Sequence, residues 1–241
     1  MDDLELYRKL SELEMPVLSF GQIKALLEMN NAGAAVKLNF LVKKGVLKRV
    51  IRGRYSLPET HPLCISSNIE NPSYISLWAA LEYHELTTQS PRIIDIMNTR
   101  RSETIVLDHD MGSFDLRFIK VKPGRMFGYK KEYLGNHSCF IADPERTVVD
   151  CLLYHNYVPL EEVMDAINGE MDVNTIVRYT NIIGKQSLKK RMGFILEKKG
   201  FEVEPEIFGH LTSTYTLLYP AGERRGKYNT RWHIIQNGVK S

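Results

Sequence analysis

VLSFGQIKALLEMNNAGAAVKLNFLVKKGVLKRVIRGRYSL, residues 17–57, decides the fold expected of this chain. Ser19 is placed to cap a helix over about 20–28, since its side-chain oxygen can accept from the free amides of a first turn, and Ile23, Leu26 and Leu27 form that helix's apolar stripe. Asn30 and Asn31 mark a turn, and a second helix runs over about 32–44 to stop at Gly45. Two short apolar-basic runs then pivot on Arg52-Gly53 like the arms of a hairpin. Upstream, Leu4, Leu6, Tyr7, Leu10 and Leu13 recur at helical spacing over 2–14 until Pro16. This is the element order of a winged helix-turn-helix.

The charge of the stretch points the same way. Residues 30–57 hold seven basic side chains (Lys37, Lys43, Lys44, Lys48, Arg49, Arg52, Arg54) and no acid, whereas residues 1–29 hold three basic and six acidic ones. A net charge of +3 over 241 residues is too small to imply a nucleic-acid partner by itself, but a local basic stripe displaces condensed counterions from phosphates. On a wheel of the helix over 32–44, Ala35, Leu38, Leu41 and Val42 point inward and Gly33, Lys37, Phe40 and Lys44 outward. The outer face would meet the major groove, with Lys37 and Lys44 on phosphates or guanine and Asn30 and Asn31 near the backbone or an adenine edge. Gly33 would permit close approach. Phe40 is expected to pack against the hairpin, the alternative being a thymine methyl. Arg49, Arg52 and Arg54 at the hairpin would grip a minor groove or its phosphates; a solvated basic edge strand is the rival reading.

Three unpaired-looking cysteines, Cys64, Cys139 and Cys151, fit a reducing compartment, so the cytoplasm is expected. The acidic, amphipathic start MDDLELYRKL is unlike a signal peptide, and no run reaches the roughly 18 apolar residues of a membrane span. Composition, 43% hydrophobic and 25% charged, is that of a globular chain.

Beyond the first domain, 1–58, LPETHP reads as a linker. A mixed α+β domain over 63–155 follows: a helix starting at Asn71-Pro72 with Tyr74, Leu77, Trp78 and Leu81 on one face, then strands near 92–98, 104–107 and 114–121, with Gly112-Ser113 as a turn. Asp143-Pro144 caps another helix. The region 156–241 is mainly helical, with stops at Gly169, Gly184 and Gly200, and returns to strands near 214–218 and 232–236. The class is α+β.

Five linked stretches, PSYISLWAALEYHELT (72–87), MFGY (126–129), IADPERTVVDCL (141–152), RMGFILEKKG (191–200) and NTRWHIIQN (229–237), resemble the AbiEi antitoxin family in order and spacing. That resemblance covers nearly the whole chain, since the first domain ends in the G-x-Y form at Gly53-Arg54-Tyr55. It implies a winged helix that represses its own promoter as a double-stranded DNA partner, with a homodimer on DNA compatible with it. It also implies a C-terminal region that neutralises a cognate nucleotidyltransferase-like toxin, as in type IV toxin–antitoxin systems. The basic run Lys189, Lys190, Arg191, Lys198 and Lys199 is the candidate partner-binding surface.

No catalytic residue, cofactor or metal is expected. A nucleotidyltransferase would need paired carboxylates after its Gly-Ser turn, and Lys122-Pro123-Gly124-Arg125 stands there instead. Asp108-His109-Asp110 precedes that turn and reads as solvated turn acids. Cys151 with His155 and His61 with Cys64 lack a second pair at zinc spacing. P-loop, G-x-G-x-x-G, G-x-S-x-G and H-E-x-x-H motifs are missing. The rival readings are a DNA-targeted nuclease built on 63–155 and a winged helix that binds protein.

Overall fold

The computed structural model describes residues 3–238 and is mixed α+β. It opens with α1 (Asp3–Glu12); Asp2, the expected first helical residue, lies outside the described residues. Then come β1 (Leu18–Ser19), α2 (Phe20–Leu27), α3 (Asn31–Lys43), β2 (Lys48–Ile51) and β3 (Arg54–Ser56). Ser19 and Gln22 form a reciprocal capping box, the Ser19 Oγ accepting from the Gln22 amide and the Gln22 Oε1 from the Ser19 amide at 2.8 Å. Asn30 caps α3 by accepting from Gly33 N at 2.8 Å. Gly53, at φ 75°, supplies the left-handed turn between β2 and β3 that a residue with a Cβ would resist. The strands order β1-β3-β2, all antiparallel, with a bulge between Arg49 and Ile51. Leu6, Leu10, Leu18, Ile23, Leu38, Leu41, Leu47 and Leu57 form one core beneath the three helices and the hairpin.

The expected linker is folded. α4 (Pro62–Asn68) begins directly after His61, whose Nδ1 accepts from Leu63 N, and Thr60, Cys64, Ile65 and Ser66 are buried. The helix expected from Asn71-Pro72 is also corrected: β4 (Ser73–Ser76) occupies its first turn, and α5 (Leu77–Tyr83) is short. Ser73, Tyr74, Ile75 and Ser76 are buried without alternation, the mark of a strand covered on both faces, which helical periodicity cannot detect.

β5 (Ile93–Asn98), β6 (Glu103–His109), β7 (Gly112–Lys120), β8 (Tyr129–Leu134) and β9 (His137–Ala142) complete a six-stranded sheet of order β6-β7-β5-β4-β9-β8. β5 pairs parallel to β7 and β4 parallel to β9, while β6 and β7 form an antiparallel hairpin. Its turn falls at Asp110-Met111, and Gly112, expected in the turn, opens β7 at φ 124°.

α6 (Pro144–Leu153), α7 (Leu160–Ala166), α8 (Val173–Ile183) and α9 (Gln186–Lys198) follow, then the small strands β10 (Thr216–Leu217), β11 (Lys227–Asn229) and β12 (Ile234–Gln236). β12 lies between them, parallel to β10 and antiparallel to β11. By contacts the chain divides into two compact units, 1–75 with 91–141 and 76–90 with 142–241. In the second unit α5 packs on α6. There Arg146 and Asp150, both fully buried, ion-pair at 2.8 Å, and Ser76 Oγ donates to Asp150 at 3.0 Å. Trp232, fully buried, lies edge-on to Phe208 and donates its Nε1–H to Glu197 at 2.7 Å.

Candidate nucleic-acid interface

α3 presents to solvent a face different from the one its sequence suggests. Its buried residues are Ala34, Leu38 and Leu41; Ala35 and Val42 are only half-buried. Leu38 and Leu41 stay in the stripe, whose centre is rotated by about 40° toward Ala34. Ala32, Val36, Asn39, Phe40 and Lys43 occupy the exposed face. The phase is hard to read because apolar residues surround nearly the whole helix, and Ala34-Leu38-Leu41 is as good an i, i+4, i+7 set as the one expected. Val36, Asn39 and Lys43 are the residues this rotation adds.

The same rotation turns Lys37 and Lys44 toward α1. Lys37 Nζ donates to Asp3 Oδ1 at 2.6 Å and Lys44 Nζ to Asp3 Oδ2 at 3.1 Å. These hydrogen bonds hold the Asp3 carboxyl below the usual carboxylate range. Both ammonium groups also lie over the Phe40 ring, 5.4 and 4.5 Å from its centroid, while the ring stays exposed. Asn31 Oδ1 accepts from Lys24 Nζ at 3.1 Å, and Asn30 is committed to its cap. Gly33 is half-buried, and a Cβ there would meet the Asn30 Oδ1 at 3.3 Å, so it serves the cap as well as any approach.

The hairpin keeps its arginines free. Arg49 and Arg52 are exposed and Arg54 half-exposed, and among the described residues none of the three makes an ion pair. Lys48 is engaged by Asp110, whose carboxyl it holds below the usual range. Of the seven basic residues in this stretch, Lys43, Arg49, Arg52 and Arg54 thus remain uncompensated.

The basic run in α9 is divided by burial. Lys190 and Arg191 face inward: Lys190 Nζ donates to Thr212 Oγ1 at 2.9 Å and to Thr214 O, and Arg191 Nε donates to Leu217 O at 2.8 Å. Burial pulls both groups down, Arg191 to about 10. They cannot form a contact surface because they anchor the segment around β10. Lys189 donates to Phe208 O at 2.6 Å, and only Lys198 and Lys199 of the five are exposed.

A polar cleft of about 410 Å³ lies in the first unit, with Glu14, Gln22, Arg54, Glu70, Arg100 and Tyr129 in its walls. Glu70 is held by Arg101 at 3.0 Å, so its carboxylate is already compensated. The Asp108-His109-Asp110 triplet is structural in its contacts: Asp108 accepts from Ser113, His109 hydrogen-bonds Thr60 O, and Asp110 pairs with Lys48. Cys64 Sγ donates to His137 O at 3.4 Å, and Cys64, Cys139 and Cys151 are free and buried. Among the described residues no three His, Cys, Asp or Glu side chains gather as metal ligands would, and no helix is long and apolar enough to cross a membrane.

No protein-family model matches the chain, and no curated protein matches it. It is similar in structure to the RV2827C protein from Mycobacterium tuberculosis, with a TM-score of 0.60 over 95% of this chain and 89% of that one. Their sequences are 12% identical, so the likeness is one of α+β fold alone.

Proposed function

We propose that the N-terminal lobe is a winged helix-turn-helix and that the chain is a DNA-binding transcriptional regulator. In this reading α3 enters the major groove and the β2–β3 hairpin is the wing on the flanking backbone. One observation carries it: within 30–57, which holds seven basic residues and no acid, Lys43, Arg49, Arg52 and Arg54 have no acidic partner among the described residues and lie at the exposed end of α3 or on the adjoining hairpin. Such a run of uncompensated cations along one stretch provides the counterion-releasing contacts a duplex needs. The resemblance to AbiEi antitoxins extends the reading to an autorepressor in the cytoplasm that also neutralises a nucleotidyltransferase-like toxin, without being an enzyme itself.

A mobility-shift titration on the duplex upstream of its own gene tests the first half. With about four phosphate contacts, log K should fall against log[salt] with a slope near −3.6. Arg52→Ala should flatten that slope by about 0.9, and a salt-independent complex would refute the model. For the second half, co-expression with the adjacent open reading frame should rescue growth arrest; failure to rescue leaves only the regulator.

The exposed apolar side chains of α3 favour one rival, a winged helix that docks on protein. That rival requires no duplex binding even at low salt.

A further inference from the structure

The solvent face of α3 has an unusual composition for a helix flanked by arginines. Val36 is 72% exposed and Phe40 44%, and both contribute with Ala32, Met29, Gly33 and Lys37 to one shallow, mainly apolar groove. The polar groups sharing this face are Asn39, which has no hydrogen-bond partner among the described residues, and Lys43 at the C-terminal end. The helix contains no arginine. Lys37, half-buried on the helix, and Lys44, the exposed residue after its last turn, are both bound by Asp3.

These residues match one base pair and mismatch the other. Guanine is read through O6 and N7 by arginine or lysine, and the lysine that lines this groove, Lys37, is already held by Asp3. An A·T pair presents the thymine 5-methyl group to apolar side chains and the adenine N6 and N7 to an amide such as asparagine. The charge of the same stretch decides what kind of surface suits the groove. Lys43, Arg49, Arg52 and Arg54, without an acidic partner among the described residues, would be left unpaired by an apolar protein partner, whereas a duplex offers phosphates to them and thymine methyls to the groove.

Resting on the reading that α3 lies in the major groove, we infer that the chain is an A·T-selective reader. Ala32, Val36 and Phe40 contact thymine 5-methyl groups, and Asn39 bonds the adenine edge.

The test compares the full chain on three alternating duplexes at low salt: dA-dT, dA-dU, which lacks only the methyl, and dG-dC. Binding should be tightest to dA-dT and fall on dA-dU by about fourfold for each methyl contacted, the transfer value of one buried CH₂. A double variant, Val36→Ala with Phe40→Ala, alters exposed positions, leaves only the Ala32 contact and should distinguish dA-dT from dA-dU by no more than about fourfold. Equal affinity of the unmodified chain for dA-dT and dA-dU, or tighter binding to dG-dC, overturns the inference while DNA binding stands. Full discrimination by the double variant also overturns it. Binding to none of the three removes the DNA reading itself.

Discussion

At the scale of single residues, Asp3 has the largest leverage over the proposed interface. One carboxylate neutralises both lysines that a wheel would aim at DNA, at 2.6 and 3.1 Å. Asp3→Asn removes that anion and keeps the size, so both ammonium groups become available to phosphate. The salt slope of duplex binding should then steepen by about 0.9 for each lysine engaged, and affinity should rise. Lys37→Ala in the unmodified protein should do little. If Lys37→Ala weakens binding as much as Arg52→Ala, the lysine leaves Asp3 on DNA and the clamp has no restraining effect. Histidines set a second residue-scale behaviour. Burial holds His61, His137 and His155 below the usual 6.5. A depressed folded value means that the unfolded chain binds more protons in the window between that value and 6.5. Stability is thus fully present above pH 6.5 and declines as pH falls below it. His137, nearly fully buried with its Nε2 unpartnered among the described residues, is the one to replace. Urea midpoints at pH 7.5 and 5.5 should differ less in His137→Gln than in the unmodified protein; an unchanged difference would assign the pH dependence elsewhere.

At the scale of elements, the local punctuation was legible and the helix phase was not. Ser19 with Gln22, Asn30, Asp143 with Pro144 and Gly184 act at short range through their own hydrogen bonds or backbone angles, and each appears where its residue type requires. The face of α3 depends on which of several equally apolar stripes finds neighbours, a question that α1 and the hairpin settle from outside the helix. α9 gives the same lesson more strongly. Its lysines and arginine read as a surface, yet Lys190 and Arg191 are drawn inside by carbonyl and hydroxyl acceptors more than twenty residues downstream. Its Gly193 looks like a weak spot in a helix and is a packing requirement: a Cβ there would stand 2.0 Å from Cζ3 of Trp232. Gly193→Ala should therefore cost about 3 kcal/mol or more, the upper end of overpacking. Gly169→Ala, with no atom near its added Cβ, should stay within about 0.5 kcal/mol. Thermal melting of the two variants checks this, and equal stability would mean that Trp232 can move aside.

At the scale of the whole molecule, the five linked stretches 72–87, 126–129, 141–152, 191–200 and 229–237 are mostly structural joints. Tyr74 stacks on Tyr129 at 4.8 Å, linking the first stretch to the second within one unit. In the other unit Ser76 meets Asp150, Asp143 accepts from Tyr179 at 2.7 Å, and Trp232 rests on Gly193. Residues so used hold each unit together. The units also bear on where the chain can be cut. α6 packs on α5, α7, α8 and α9, and its Val148, Val149, Cys151 and Leu152 are buried. A fragment ending at 155 would expose that apolar face. It should be insoluble or melt without cooperativity, whereas a soluble, cooperatively melting fragment would mark an autonomous domain boundary there.

The sequence by itself determined the features governed by neighbours along the chain: the α+β class, the caps at Ser19 and Asp143, the helix stops at Gly45, Gly184 and Gly200, the Arg52-Gly53 turn and the basic hairpin. Their physics is completed within a few residues. Only the tertiary structure decided which side of α3 faces water, that Asp3 holds two lysines, that Lys190 and Arg191 are interior, and that Ser73–Ser76 is a buried strand. Each of these depends on partners brought together by folding from distant parts of the chain. For the opening stretch the consequence is specific: its charge was readable at once, but only folding shows that Lys43, Arg49, Arg52 and Arg54 are the ones without an acidic partner among the described residues.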